Sequence, residues 1–242
     1  HGSLIMTQAA YGNLPAGFRS PKPVAFTATN GTVAKILVDQ IPAALASSTL
    51  PPYYGGGTLI DLTATSTDGS AKDVILYVGR VLTTQDATAT GSLTTSAQNV
   101  LTRGSGSWIT DGWQVGDACM IFAPSTLAQV VAGIDGIALI VTGVTATQLT
   151  FNGTPLAAGS NVLSAGTRIC AMVDKARVTV PANSGNSSTI PNALLLGNPT
   201  YDNSKVTSEL KFGPDNIIAA AMQAAVSALP AQVKLLPSVG LY

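Results

Sequence analysis

Hydrophobic positions along this chain recur in short runs separated by turn-forming residues. Between Leu59 and Thr65 they alternate, with Ile60, Leu62 and Ala64 on one side and Asp61, Thr63 and Thr65 on the other, which predicts a half-buried strand. Ser66 to Ser70 then carries the Asp68-Gly69 pair favoured in tight hairpins, and Asp73 to Val78 returns with apolar residues on both faces, as a central strand would. Ala34 to Val38 predicts an earlier strand, Asn198 to Asn203 a turn, and Val206 to Phe212 a later strand. From Leu101 to Phe151 the pieces are shorter still. The apolar runs Ala118 to Ala123 and Ile137 to Val141, and the closing phrase Val144 to Phe151, are bounded by Gly, Asp, Asn or Ser, which predicts a compact β-module.

One stretch reads two ways. Ile218, Met222, Val226 and Leu229 recur near helical spacing, Asp215 or Asn216 could cap a helix, and Pro230 would stop it, so local propensity over Ile217 to Leu229 favours a helix. Alanine's preference is weak enough for tertiary context to turn the same residues into strand.

The chain has 242 residues, enough for one large or two small domains. Hydrophobic residues make up 46% and charged residues 10%, so it can bury a core but exposes a weakly charged surface of the kind that commonly meets other protein. Lys and Arg total 12, as do Asp and Glu, and no basic cluster stands out, which argues against nucleic acid or an anionic membrane as partner. Although mean hydropathy is +0.35, no run approaches the roughly 18 apolar residues that predict a spanning helix.

His1 to Ile5, ahead of Met6, reads as a tag remnant and holds the only histidine; without it, histidine-based zinc sites and Ser-His-Asp or Cys-His arrangements have no candidate. No secretory signal follows Met6, which predicts synthesis in the cytoplasm. Thr7 to Pro23, rich in Gly and Pro, reads as an extended arm or a loose terminus. Gly55-Gly56-Gly57 lacks the Lys-Ser/Thr and following helix of a phosphate loop and reads as a turn.

Cys119 and Cys170 each sit in an apolar run and are expected to be reduced core residues, a disulfide closing the module being the alternative. Eleven aspartates and Glu209 are scattered. Asp68, Asp111, Asp117 and Asp135 could be imagined around calcium, but no dense Asp-x-Asp-x-Asp loop exists, and turn formation explains them. No pair of carboxylates is marked out for glycosidase chemistry. Trp108 and Trp113 flank Asp111-Gly112 and are either core anchors or a sugar-stacking pair, the core being favoured. No catalytic, cofactor-binding or metal-binding residue is therefore assigned.

Two phrases carry a resemblance. Gly106-Ser107-Trp108, Asp111-Gly112-Trp113, Val115-Gly116-Asp117 and Val144 to Thr150 resemble a module of tailed-phage virion proteins, tail-tube proteins among them. Ala64 to Val78, continued by Val178 to Gly185 and Ala193 to Leu196, is similar to small phage proteins that decorate the head. About a hundred residues separate the two halves of the second phrase, as if a module had been spliced into one connection.

The resemblance implies strands over the ambiguous segment, with Ala225 to Ala231 near a turn and Gln232 to Leu236 returning. The expected fold is all-β: a jelly-roll-like β-sandwich from residues 25–82 and 174–242, a small β-barrel-like module inserted at 83–173, and residues 1–24 as tag remnant and arm. The implied role is a non-enzymatic capsid decoration or cement protein on the virion exterior. It would bind the major capsid protein and associate with itself, a trimer first, without cofactor, nucleic acid or membrane. A tail-tube or head-completion subunit and a carbohydrate- or receptor-binding module are the alternatives.

Overall fold

The fold follows from two long strands that each serve more than one core. The structure is a computed structural model and describes residues 17–19, 24–27, 32–39, 57–85, 93–122, 136–156, 161–185, 193–194, 210–212, 216–223 and 233–241. In chain order the strands are β1 (Gly17–Arg19), β2 (Val24–Phe26), β3 (Lys35–Val38), β4 (Gly57–Ser66), β5 (Lys72–Thr84), β6 (Leu93–Ala97), β7 (Val100–Arg103) and β8 (Ala118–Phe122). They continue as β9 (Leu139–Val144), β10 (Gln148–Phe151), β11 (Asn161–Val162), β12 (Arg168–Val180), β13 (Ala193–Leu194), β14 (Leu210–Phe212), β15 (Asn216–Met222) and β16 (Val233–Leu241). The described residues contain no helix, so the fold is all-β, as the short apolar runs predicted.

All the strand pairings are antiparallel, and they form two sheets. The six-stranded sheet is built on the β16–β4 pair, with β1 and β2 on β16 and β13 and β14 on β4. The ten-stranded sheet runs β11-β6-β7-β10-β9-β8-β12-β5-β15-β3. The first core lies between the two sheets and gives the β-sandwich. Phe26, Leu59, Leu62, Ala64, Val233 and Leu235 from one sheet meet Leu37, Val74, Leu76, Val178, Val180, Ile218, Ala220 and Met222 from the other.

β4 corrects the expected alternation in one respect. Its pairing with β16 slips at Ile60, between Ser238↔Asp61 and Val239↔Leu59, so Leu59 joins Leu62 and Ala64 in the core. A bulge inserts one residue and changes which side chains share a face.

β5 and β12 pair along nearly their whole length and cross the expected boundaries at 82/83 and 173/174. Their 13 residues are longer than the six-residue strand read over Asp73 to Val78. Near its start β12 sends Ile169 and Ala171 to a second core with Trp108, Trp113, Leu101, Cys119, Ile121, Leu149 and Phe151, around which the insert's strands curl. Cys170 and Met172, on the opposite face, belong to a third core. After a bulge between Asp174 and Ala176, the strand faces the first core with Val178 and Val180.

The third core joins residues from both expected units. Ala34, Ile217, Ala219 and Ala221 pack with Met120, Phe122, Cys170 and Met172. One residue closes it: Ala34 N donates to Gly136 O (2.9 Å) and Gly136 N donates to Ile121 O (2.8 Å). Three strands separate β3 from β8 along the sheet, so a bridge of one residue between them requires that part of the sheet to curl. The Arg168–Asp39 ion pair ties the far end of β3 to the start of β12.

The ambiguous segment is strand over Asn216–Met222; residues 224–232, with the expected turn, lie outside the described residues. Ile217, Ala219 and Ala221 enter the third core while Ile218, Ala220 and Met222 enter the first, so burial on both faces overrides alanine's local preference. The return strand expected over Gln232 to Leu236 is β16, which extends to Leu241. Of the strand expected at Val206 to Phe212, Leu210–Phe212 is described and pairs with β4, whereas the Asn198 to Asn203 turn falls outside the described residues.

Candidate functional site

Of the residues singled out for chemistry, Trp108, Trp113 and Cys119 lie in the second core, and Asp111 is bonded beside it. The Trp108-to-Trp113 turn is pinned by Trp108 N donating to Ala146 O (3.1 Å) and Trp113 N to Trp108 O (3.2 Å). Both indoles are buried, 0% and 3% exposed, and meet edge to face at 6.5 Å between centroids. Neither offers a face to a sugar. Their placement is the core alternative, and it removes these two indoles as a sugar-stacking pair.

Asp111 does more than form a turn. Its Oδ2 accepts from the Thr83 hydroxyl (2.5 Å) and from Arg103 Nη1 (2.6 Å), while Thr83 Oγ1 accepts from Trp113 Nε1 (3.2 Å). The Arg103 guanidinium lies over the Trp108 ring at 4.8 Å and its Nε donates to Ser105 O. A carboxylate from the turn, a hydroxyl from the end of β5 and a guanidinium from β7 thus form one chain across the module. Such a chain strengthens each of its bonds and fixes the turn. Trp108 Nε1 is buried without a hydrogen-bond partner among the described residues.

The other aspartates do what turn chemistry expects. Asp68 is buried; its Oδ1 accepts from the Ser70 amide and hydroxyl, and its Oδ2 lies 3.6 Å from Lys72 Nζ. Asp117 Oδ2 accepts from Gln114 N (2.8 Å). Asp135 lies outside the described residues, as do Gly55 and Gly56, while Gly57 opens β4. Among the described residues no three His, Cys, Asp or Glu side chains gather as metal ligands, and no helix is long and apolar enough to cross a membrane.

Cys119 and Cys170 are free and buried. They sit on adjacent strands, but Cys119 opposes Ala171 and points into the second core, whereas Cys170 opposes Met120 and points into the third. Side chains on opposite faces of a sheet cannot meet in a disulfide. Burial pushes the Cys119 thiol well above its ordinary range and the Cys170 thiol up to about 12, so neither is a thiolate at neutral pH. Burial also raises the Tyr77 phenol, with Asp174 adding to it, and lowers Lys35, whose ammonium lies 5.3 Å from the Phe26 ring centre.

Sequence reasoning missed Arg103, Thr83 and Gly136. None carries a motif, and their roles come from strands that meet only in the fold. The exposed large apolar side chains Ile109, Val115, Ile137, Ile140, Val162 and Val173 all fall within the expected insert. No protein-family model, curated protein or solved structure matches this chain.

Proposed function

We propose that the protein is a structural component of a tailed-phage particle: a capsid decoration protein that binds the major capsid protein at junctions of the expanded head and performs no bond-making or bond-breaking. One observation carries this reading. The two halves of the decoration-type phrase, a hundred residues apart in sequence, lie against each other in space. Lys72, Asp73 and Val74 of β5 pair with Val180, Thr179 and Val178 of β12, and the Thr179 hydroxyl donates to Asp73 Oδ1 (2.6 Å). Ser66 N donates to Ser184 O (2.7 Å), and Asn183 N to Asp68 O (2.8 Å). Asn183 holds a left-handed φ of 53°, which asparagine tolerates better than most residues. This adjacency supports reading the phrase as one unit interrupted by the module.

The mechanism is mass action. A protein that binds only the expanded lattice lowers that lattice's free energy by RT ln(1 + [L]/Kd) and so resists its disruption. Capsid junctions have local symmetry, which favours a homo-oligomer, a trimer first. The test mixes purified protein with unexpanded and expanded heads. Co-sedimentation with expanded heads alone, and a trimer in analytical ultracentrifugation, are expected; a monomer that binds neither would defeat the reading. The second core, gathered around Trp108, Trp113, Leu149 and Phe151 of the matched module, favours a tail-tube subunit as the second reading, for which rings or tubes in electron micrographs are the signature.

A further inference from the structure

The edge of β12 that no described strand covers points to a docking site for an extended segment of another protein, and we propose that this segment carries a carboxylate opposite Lys175. β12 has 13 residues, of which four, Arg168 to Ala171, pair with β8 on one side. The other nine, Met172 to Val180, have β5 on the opposite side and no strand on this one among the described residues. That leaves about 30 Å of edge at ~3.3 Å per residue, the length of an added strand. β8 already uses the same edge, so an incoming strand would continue its line.

The side chains along this edge select the occupant. An open edge invites any strand, and natural proteins restrict it with bulges and charges. Both are present: the register shifts between Asp174 and Ala176, and Asp174, Lys175 and Arg177 are exposed. Arg177 Nη2 donates to Asp174 Oδ2 (3.1 Å), which leaves Lys175, at the bulge, as the cation of this edge with no partner among the described residues. A second copy paired antiparallel about this bulge would bring two Lys175 ammonium groups together, so self-pairing is disfavoured and a segment with an acidic residue is favoured. Val173, 63% exposed beside the bulge, offers an apolar contact to the same segment. This inference does not depend on the particle reading.

The test uses the full chain and two nine-residue peptides of alternating valine and threonine, one with a central glutamate and one with a central lysine. Amide hydrogen exchange and titration calorimetry are the readouts. In the free protein, alternate amides of Val173 to Val180 exchange fast; the glutamate peptide slows them and binds about three- to fivefold more tightly than its lysine twin, as an exposed ion pair allows. Lys175→Glu reverses the preference and Lys175→Gln abolishes it, both with unchanged thermal unfolding. Slow exchange along this edge in the free protein, no binding of either peptide, or equal binding of both would overturn the proposal. Concentration-dependent protection of the same amides without peptide would overturn it in favour of a second copy.

Discussion

Gly136 is the point at which the curled sheet closes, and its replacement by alanine tests that closure. Its φ is +68°, and a Cβ placed there would lie 2.1 Å from Ala34 O and 2.9 Å from Ala34 N. Gly153 makes a matched control: its φ is +71°, and a Cβ would meet nothing within 4 Å. Both alanine variants carry the left-handed backbone penalty of about 1–2 kcal/mol, offset in part by about 0.4–1 kcal/mol from a stiffer unfolded chain. Gly136→Ala alone must also push Ala34 away. That leaves a buried donor unpaired, about 1–3 kcal/mol, and strains the third core by a similar amount. Gly136→Ala is therefore expected to destabilise by about 2–6 kcal/mol more than Gly153→Ala. Urea unfolding followed by tryptophan emission measures the difference, since both indoles lie in the adjoining second core. A gap below about 1 kcal/mol would show that β3 and β8 are not held together through this residue.

Other perturbations probe the remaining cores. Asp111→Asn keeps the size of the side chain but weakens the acceptor shared by Thr83 and Arg103; a loss of about 1–3 kcal/mol is expected, with red-shifted tryptophan emission, whereas unchanged stability would mean the chain of bonds is ornamental. Thiol reagent should leave both cysteines unmodified in the native protein and modify both after denaturation, and mild oxidation should form no intramolecular disulfide. Because burial raises both thiols above their ordinary range in the folded state, the unfolded chain releases their protons first as pH rises. Stability should then fall from about pH 9 towards pH 12, by up to about 1.4 kcal/mol per pH unit for each thiol, and Cys170→Ala should flatten that slope. Deleting residues 83–173 removes Met120, Phe122, Cys170 and Met172 from the third core, so the shortened chain should bind a hydrophobic dye and aggregate; a soluble variant with cooperative unfolding would show that the remainder stands alone.

Much of the local structure was legible in the residues. Alternation around Leu62 and the apolar runs at Ala118 and Ile137 reflect requirements that each segment meets within a few residues, so period was enough to read those strands; the hairpin read at Asp68-Gly69 did not form, because β4 and β5 on either side of it enter different sheets. The reduced, buried cysteines followed from their apolar runs in the same way, whereas the tryptophans were read as core partly from the resemblance.

Only the tertiary structure decided what depends on a second segment distant in the chain. Asn216–Met222 became strand because cores formed on both of its faces, and Leu59 turned inward because β16 imposed a bulge. Asp111 became a hub because β5 and β7 brought Thr83 and Arg103 to it. The expected boundaries at 82/83 and 173/174 fall inside continuous strands for the same reason: a long strand can pass from one core to another without any change in its own sequence pattern. Periodicity records whether a side chain is buried, but not which partner buries it, and that partner is fixed only when the sheets come together.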